Sequence, residues 1–93
     1  MMNAQDAKNT TITAIQRKTD ELIYNIYTKA IKERIQKGFY SGSTVIKDSE
    51  TYDLNRIRDL FEGKGYKVLI VYENEADTRI SLFWNIEQEN QMG

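Results

Sequence analysis

The chain has 93 residues and a mass of 10.9 kDa, a size that supports one hydrophobic core rather than two. It contains neither cysteine nor histidine, which excludes disulfides, Cys/His zinc sites and catalytic dyads or triads that use either residue. The formal net charge is −1 and the pI is near 5.4, so the chain has no general cationic field of the kind that attracts nucleic acid or anionic membranes.

The amino terminus carries no targeting signal that we recognise. It lacks a basic start followed by an unbroken apolar run, and no stretch approaches the length of a membrane span. We therefore expect a cytoplasmic protein with no membrane partner and no cofactor.

The first third of the chain predicts one long amphipathic helix. Residues 3–37 contain no glycine or proline, and apolar residues recur three or four positions apart. At 1.5 Å per residue this helix would be about 50 Å long, whereas the rest of the chain can form a body only roughly 25–30 Å across. Part of the helix is therefore expected to project.

A short heptad seam lies on one face of this helix. Its apolar members are Ile12, Ile15, Leu22 and Ile26, with Thr19 between them. Two interpretations are open: the seam packs on the sheet of the same protomer, or it joins a second copy. We assign the four apolar residues to a predicted oligomer interface, because the apolar surface is wider than one neighbour would cover.

The centre of the chain predicts a strand followed by a second helix. Gly38 suits the end of the long helix, and residues 39–47 indicate a strand with a possible bulge at Gly42. Asp48 and Ser49 are candidate N-caps for the second helix, which Gly63 would end. The apolar stripe of this helix comprises Leu54, Ile57, Leu60 and Phe61.

The last third predicts a β-hairpin. Residues 66–73 are almost continuously apolar, which favours an interior strand, and residues 78–86 form its partner across a four-residue loop. That loop length pairs Leu69 with Leu82 and places apolar side chains on both faces. We expect the short helix to cover one face and either the long helix or a partner to cover the other. Residues 87–93 are polar and are predicted to be a flexible tail.

Together these elements predict an α+β fold in one domain, residues 1–93, with the order α-β-α-β-β. The long N-terminal helix and the short second helix would lie on a small, mainly antiparallel three-stranded sheet. Residues 38–86 would form the compact body, and the long helix would serve partly in oligomerisation.

The strongest candidate for ligand binding is the first strand. Hydroxyl groups and a flexible backbone there suit a phosphate, and the two aromatic rings suit a base. An ordinary polar edge strand is the alternative explanation. The predicted ligand-binding residues are Phe39, Tyr40, Ser41, Ser43, Thr44 and Arg79.

Other motifs have simpler structural explanations. The segment Gly63-Lys64-Gly65 lacks the flanking residues of a phosphate-binding loop and precedes a strand. The acidic residues of the second helix resemble a solvated face with local ion pairs. We therefore predict no catalytic residue and no metal site.

Three segments resemble small accessory proteins of tailed bacteriophages. They are the amphipathic helix with its glycine exit, an L-x-x-x-G-Y-x-V step (Leu60, Gly65, Tyr66, Val68) and a terminal I-S-x-x-W strand (Ile80, Ser81, Trp84). The resemblance covers roughly residues 4–86. It implies a phage or prophage origin, hence the host cytosol, and a role in binding a host protein, a nucleotide signal of antiviral defence or the virion.

The leading hypothesis is a non-enzymatic, homo-oligomeric counter-defence protein that sequesters a small nucleotide-like signal or inhibits a host protein. The alternative is a structural or minor virion protein that docks through its long helix. A third is a small phosphodiesterase that uses carboxylates or tyrosine, from among Asp48, Glu50, Asp53 and Tyr40 with Arg79.

Overall fold

The computed structural model describes residues 1–85 and confirms the predicted α+β fold. The predicted tail, residues 87–93, and the end of the predicted last strand lie outside the described residues. In chain order the elements are helix α1 (Ala4–Asn25), a π-helical segment (Ile26–Lys32), α2 (Glu33–Gln36), strand β1 (Ser41–Lys47), a 3₁₀ turn (Ser49–Thr51), α3 (Leu54–Gly63), β2 (Lys67–Tyr72) and β3 (Asp77–Phe83).

The first three elements form one continuous helix whose centre is π-helical. There the Glu33 N–H donates to the carbonyl of Thr28, five residues earlier. Ile26 and Ile31 are both fully buried, although side chains five apart on an α-helix point about 140° away from each other. The π-helical turn therefore places both side chains in one core. The change of period explains why the apolar residues of the long helix cover a wider surface than one stripe of a regular α-helix.

The sheet has the order β1-β3-β2 and is antiparallel throughout. The prediction that residues 66–73 form an interior strand is wrong, because β2 is an edge strand and β3 is central. The continuous apolar sequence of β2 does not mean that the strand is buried on both faces. Val68 is buried, whereas Leu69 and Val71 are exposed.

The predicted hairpin register is wrong by one residue. The structure pairs Val68 with Leu82 and Leu69 with Ser81. The loop is tighter than predicted because the Glu73 N–H donates to the Asp77 carbonyl (2.9 Å). The side-chain oxygen of Asn74 also accepts from the backbone N–H groups of Ala76 and Asp77, both at 2.8 Å. A shift of one residue exchanges the faces of a strand.

Both helices pack on the same face of the sheet, so the alternative in which they cover opposite faces is wrong, whereas cover of the other face by a partner stays a prediction. The core is a single cluster in which residues from the long helix and α3 meet the strand residues Ile46, Val68, Ile80 and Leu82. The opposite face, which carries Val45, Leu69 and Val71, is open.

Two local predictions around β1 need correction. Gly42 pairs regularly with Leu82, between Ser41–Phe83 and Ser43–Ser81, so there is no bulge. The N-cap of α3 is Asp53, whose carboxylate accepts from the Arg56 N–H at 3.1 Å. Asp48 instead adopts a left-handed conformation (φ 54°) before the 3₁₀ turn.

The long helix projects from the body as predicted. The molecule measures 58 × 26 × 23 Å, and every residue from 1 to 13 is exposed; we call residues 1–13 the arm. The predicted oligomer seam is corrected in part, because Leu22 (8% exposed) and Ile26 (0%) belong to the protomer's own core. Ile12 (43% exposed) and the half-buried Ile15 remain accessible. Within residues 1–85 no helix is both long and apolar enough to cross a membrane.

Candidate functional site

A cavity of about 270 Å³ lies at the β1 edge of the sheet, beside the end of the π-helical segment. Three hydroxyl side chains, two cationic ones, a glycine, an alanine and one aromatic ring line it. These residues are Lys29, Ala30, Arg34, Ser41, Gly42, Ser43, Ser81 and Phe83.

The cavity exists because β1 approaches the long helix closely. A side chain at Gly42 would have its Cβ 1.7 Å from the backbone oxygen of Ala30 and 2.8 Å from the carbonyl carbon. Only glycine permits this contact between backbones, since any other residue would require the two elements to separate. The close approach brings the backbone on either side of Gly42 next to the helix, while the side chains of Ser41 and Ser43 project toward the opposite face of the sheet.

The π-helical turn also determines which cations reach the cavity. Lys29 and Arg34 are five residues apart, and on a regular α-helix their side chains would point about 140° away from each other. The π-helical segment, which includes Lys29 and ends two residues before Arg34, brings both side chains to one cavity.

Arg34 is held in place by two contacts with the chain that follows it. Its Nε donates to the Ser41 carbonyl at 3.0 Å. Its guanidinium also lies 3.8 Å from the centre of the Phe39 ring, a cation–π distance. These contacts orient the planar group beside the cavity, so that a ligand meets a positioned donor rather than a freely rotating one.

Arg79 supports the cavity from the open face of the sheet. It donates through Nη1 to the Ser43 hydroxyl at 3.0 Å and through Nε to the Glu73 carboxylate at 2.7 Å. The hydrogen bond with Glu73 raises the pKa of Arg79 above its ordinary value, so this side chain remains cationic. Its bond to the Ser43 hydroxyl joins it to a residue that lines the cavity.

The structure brings together some of the predicted ligand-binding residues. Ser41 and Ser43 line the cavity, and Phe39 and Arg79 contact residues that line it. Tyr40 is exposed and Thr44 pairs with Ile80 on the helix-covered face, so neither belongs to this cavity. Whether any of them binds a ligand stays a prediction.

Sequence reasoning missed Lys29, Arg34, Ser81 and Phe83. Lys29 and Arg34 were not predicted to line one site, because helical patterns are interpreted with a period of 3.6 residues. A π-helical turn changes that period. Ser81 and Phe83 were missed because the sequence indicates no register between the first and last strands, which the structure pairs through Ser43–Ser81 and Ser41–Phe83.

The chemistry of the lining suits an anion. The described residues around the cavity contribute an ammonium group, a guanidinium group and hydroxyl donors, and no carboxylate. Asp53, one of the acidic residues considered for catalysis, caps α3 instead. Among residues 1–85 no group of three or more acidic residues lies close enough together to hold a metal ion.

Comparison with known proteins gives no further assignment. No protein-family model, curated protein or solved structure matches this chain.

Proposed function

We propose that this chain is a non-enzymatic binding protein that holds a small, nucleotide-like anion in the cavity at the β1 edge. Its biological role, in this proposal, is that of a phage-type counter-defence protein that sequesters a signal molecule. The phosphate groups of the ligand would contact Lys29 and Arg34, and its ring would lie against Phe83. The observation that carries the proposal is that two cationic residues and three serines line one cavity at the sheet edge.

Geometry and size favour a small ligand. Charge-assisted hydrogen bonds to a phosphate are about twice as strong as neutral ones, and Arg34 is already oriented by Ser41 and Phe39. The volume of about 270 Å³ lies just below the range of ordinary ligand pockets, roughly 300–1,000 Å³. A mononucleotide, or one half of a cyclic dinucleotide, therefore fits better than a larger molecule.

The proposal is tested by titration calorimetry with a panel of nucleoside monophosphates, cyclic mononucleotides and cyclic dinucleotides, with inorganic phosphate for comparison. In Lys29→Gln we expect affinity for the bound nucleotide to fall roughly ten- to hundredfold, because a charged hydrogen bond contributes about 1.5–3 kcal/mol. The matched control is Lys32→Gln, since Lys32 is an exposed lysine of the same π-helical segment whose ammonium lies 6.0 Å from the Tyr27 ring.

The outcomes separate the alternatives clearly. Equal affinity in Lys29→Gln and wild type would move the ligand away from this cavity. Binding of inorganic phosphate as tightly as any nucleotide would remove the nucleotide part of the proposal. Loss of binding in both lysine variants would indicate general charge attraction, which a titration at higher salt would weaken in the same way.

A second candidate function is a structural or minor virion protein that docks on a larger particle. The projecting arm is the observation that favours it. This function predicts a protein that binds no nucleotide in the same calorimetric panel. Inhibition of a host protein is a third possibility, and the open apolar sheet face with Val45, Leu69 and Val71 favours it.

A further inference from the structure

We propose that the arm pairs with the arm of a second copy, antiparallel and around a two-fold axis near Thr10 and Thr11. This inference concerns a different part of the molecule from the ligand cavity and does not depend on it. It replaces the predicted seam through Leu22 and Ile26, which the core of the protomer already uses.

The arm is a helix without a neighbour over its first turns. Residues 4–13 are helical and exposed, yet isolated helices shorter than about 12–15 residues are marginal in water. Asn9, Thr10, Thr11 and Thr13 have poor helix propensity. A second element packed against residues 4–13 would stabilise a helix that the sequence of this segment supports only weakly.

A groove of about 510 Å³ runs along the arm to the place where it meets the body. One face of the helix forms its floor, and the 3₁₀ turn closes one end. The lining residues are Met2, Ala7, Thr10, Thr11, Ala14, Ile15, Lys18, Glu50 and Thr51. Lys18 joins arm and turn, since its ammonium donates to the Thr51 hydroxyl at 2.7 Å.

The residues of the groove floor suit a second helix. Ala7, Thr11, Ala14 and Lys18 alternate spacings of four and three, the pattern of a heptad seam. Side chains as small as alanine allow two helix axes to approach to the short end of the usual 8–10 Å range. Met2 and Ile15 add apolar surface at the margins.

Steric exclusion selects an antiparallel second copy. In a parallel pair two bodies, each 26 × 23 Å in cross-section, would lie side by side at the same end. Helices 8–10 Å apart leave no space for that. In an antiparallel pair the two bodies lie at opposite ends, and the amino end of each helix reaches the closed end of the partner's groove, where Lys18 and Glu50 both lie.

The two-fold axis fixes the register. If the amino end reaches Lys18 of the other copy, Ala7 lies opposite Ala14 and Ile15, and each arm fills the groove of the other in an isologous contact. The two helices then overlap over residues 3–18, about 24 Å, and an overlap of this length buries less area than the roughly 800 Å² per partner of a standard interface. We therefore expect a dimer that dissociates on dilution.

The test is sedimentation velocity over a dilution series of the full chain. Wild type should approach twice the monomer mass of 10.9 kDa at high concentration. Ala14→Glu and Thr11→Glu should each weaken dimerisation by at least about tenfold, because a long charged side chain would occupy a position where the close approach of the helices requires a small one. Thr13→Glu is the matched control, since Thr13 lies on the same arm roughly 130° from the seam and should leave dimerisation unchanged.

Two results would overturn the proposal: a wild type that remains monomeric at every concentration, or seam variants that dimerise as well as wild type while circular dichroism shows them folded. The relative orientation of the two helices is tested by disulfide cross-linking. The chain has no native cysteine, so only the introduced cysteines can form disulfides. A mixture of Ala7→Cys and Ala14→Cys should give mainly the mixed disulfide. Predominance of the two homodisulfides would show a parallel pair and overturn the antiparallel arrangement.

Discussion

At the scale of single residues, Gly42 connects the fold to the candidate site. It stands where β1 meets the π-helical segment, and its missing side chain permits the backbone contact with Ala30. The residues on either side of it, Ser41 and Ser43, line the cavity. A change at Gly42 should therefore affect both stability and the cavity.

We predict that Gly42→Ala destabilises the protein by about 3 kcal/mol or more, at the upper end of overpacking effects. The added Cβ would meet a backbone oxygen, which cannot rotate away as the end of a side chain could. Gly63→Ala is the control, because no atom lies within 4 Å of its added Cβ, and it should change stability by less than about 1 kcal/mol. Urea denaturation measures both; equal midpoints would contradict the close contact.

At the scale of elements, β1, the loop of the β2–β3 hairpin and the start of β3 are joined at Asp77. Its carboxylate accepts from Lys47 of β1 at 2.7 Å and from the Asn74 side chain at 3.2 Å. The hydrogen bond from Lys47, followed by that from Asn74, lowers the pKa of Asp77 below its ordinary value of 3.8. The hydrogen bond between Lys47 and Asp77 also raises the pKa of Lys47.

The lowered pKa gives a pH dependence with a definite sign. Because the folded state favours the charged carboxylate, Asp77 contributes stability that is complete above its unfolded pKa and is lost as the pH falls through the folded value. We predict that Asp77→Asn melts at a lower temperature than wild type at neutral pH, and that the difference begins to shrink near pH 4 and disappears only below the lowered pKa of the folded state. Melting curves recorded by circular dichroism check this. A difference that persists in acid would mean that the carboxylate charge is not its cause.

The elements also show what a sequence can and cannot predict. The long helix, its glycine exit, the second helix and the hairpin were predictable, because each depends on local periodicity and on residues such as Gly38 that end an element. The position of β2 at the edge was not predictable, since its apolar sequence is compatible with an edge strand and with an interior strand. The register depended on side-chain bonds of Asn74, and the pairing of Lys29 with Arg34 depended on a π-helical turn that has no common sequence signal.

At the scale of the whole molecule, the structure separates a body that holds the core from an arm that lies outside it. Each of the ten apolar core residues belongs to residues 22–82. Thr19 is the first fully buried residue, and its hydroxyl accepts from the Asp53 N–H at 3.0 Å, so it joins the long helix to the cap of α3. The boundary between arm and body therefore lies between residues 13 and 19.

This boundary predicts two different results for two truncations. A chain without residues 2–13 should keep the body folded, with a monomer unfolding free energy within about 1 kcal/mol of wild type, because it loses exposed residues only. A chain without residues 2–22 should fail to fold cooperatively, since it also loses Thr19 and Leu22, and one buried leucine alone contributes about 2–5 kcal/mol. Urea denaturation followed by circular dichroism distinguishes these results.

At concentrations where wild type is dimeric, the shorter truncation should also lose the contribution of dimerisation and unfold independently of concentration. An arm that proved essential to the isolated monomer would contradict both the boundary and the assignment of the arm to contacts between copies.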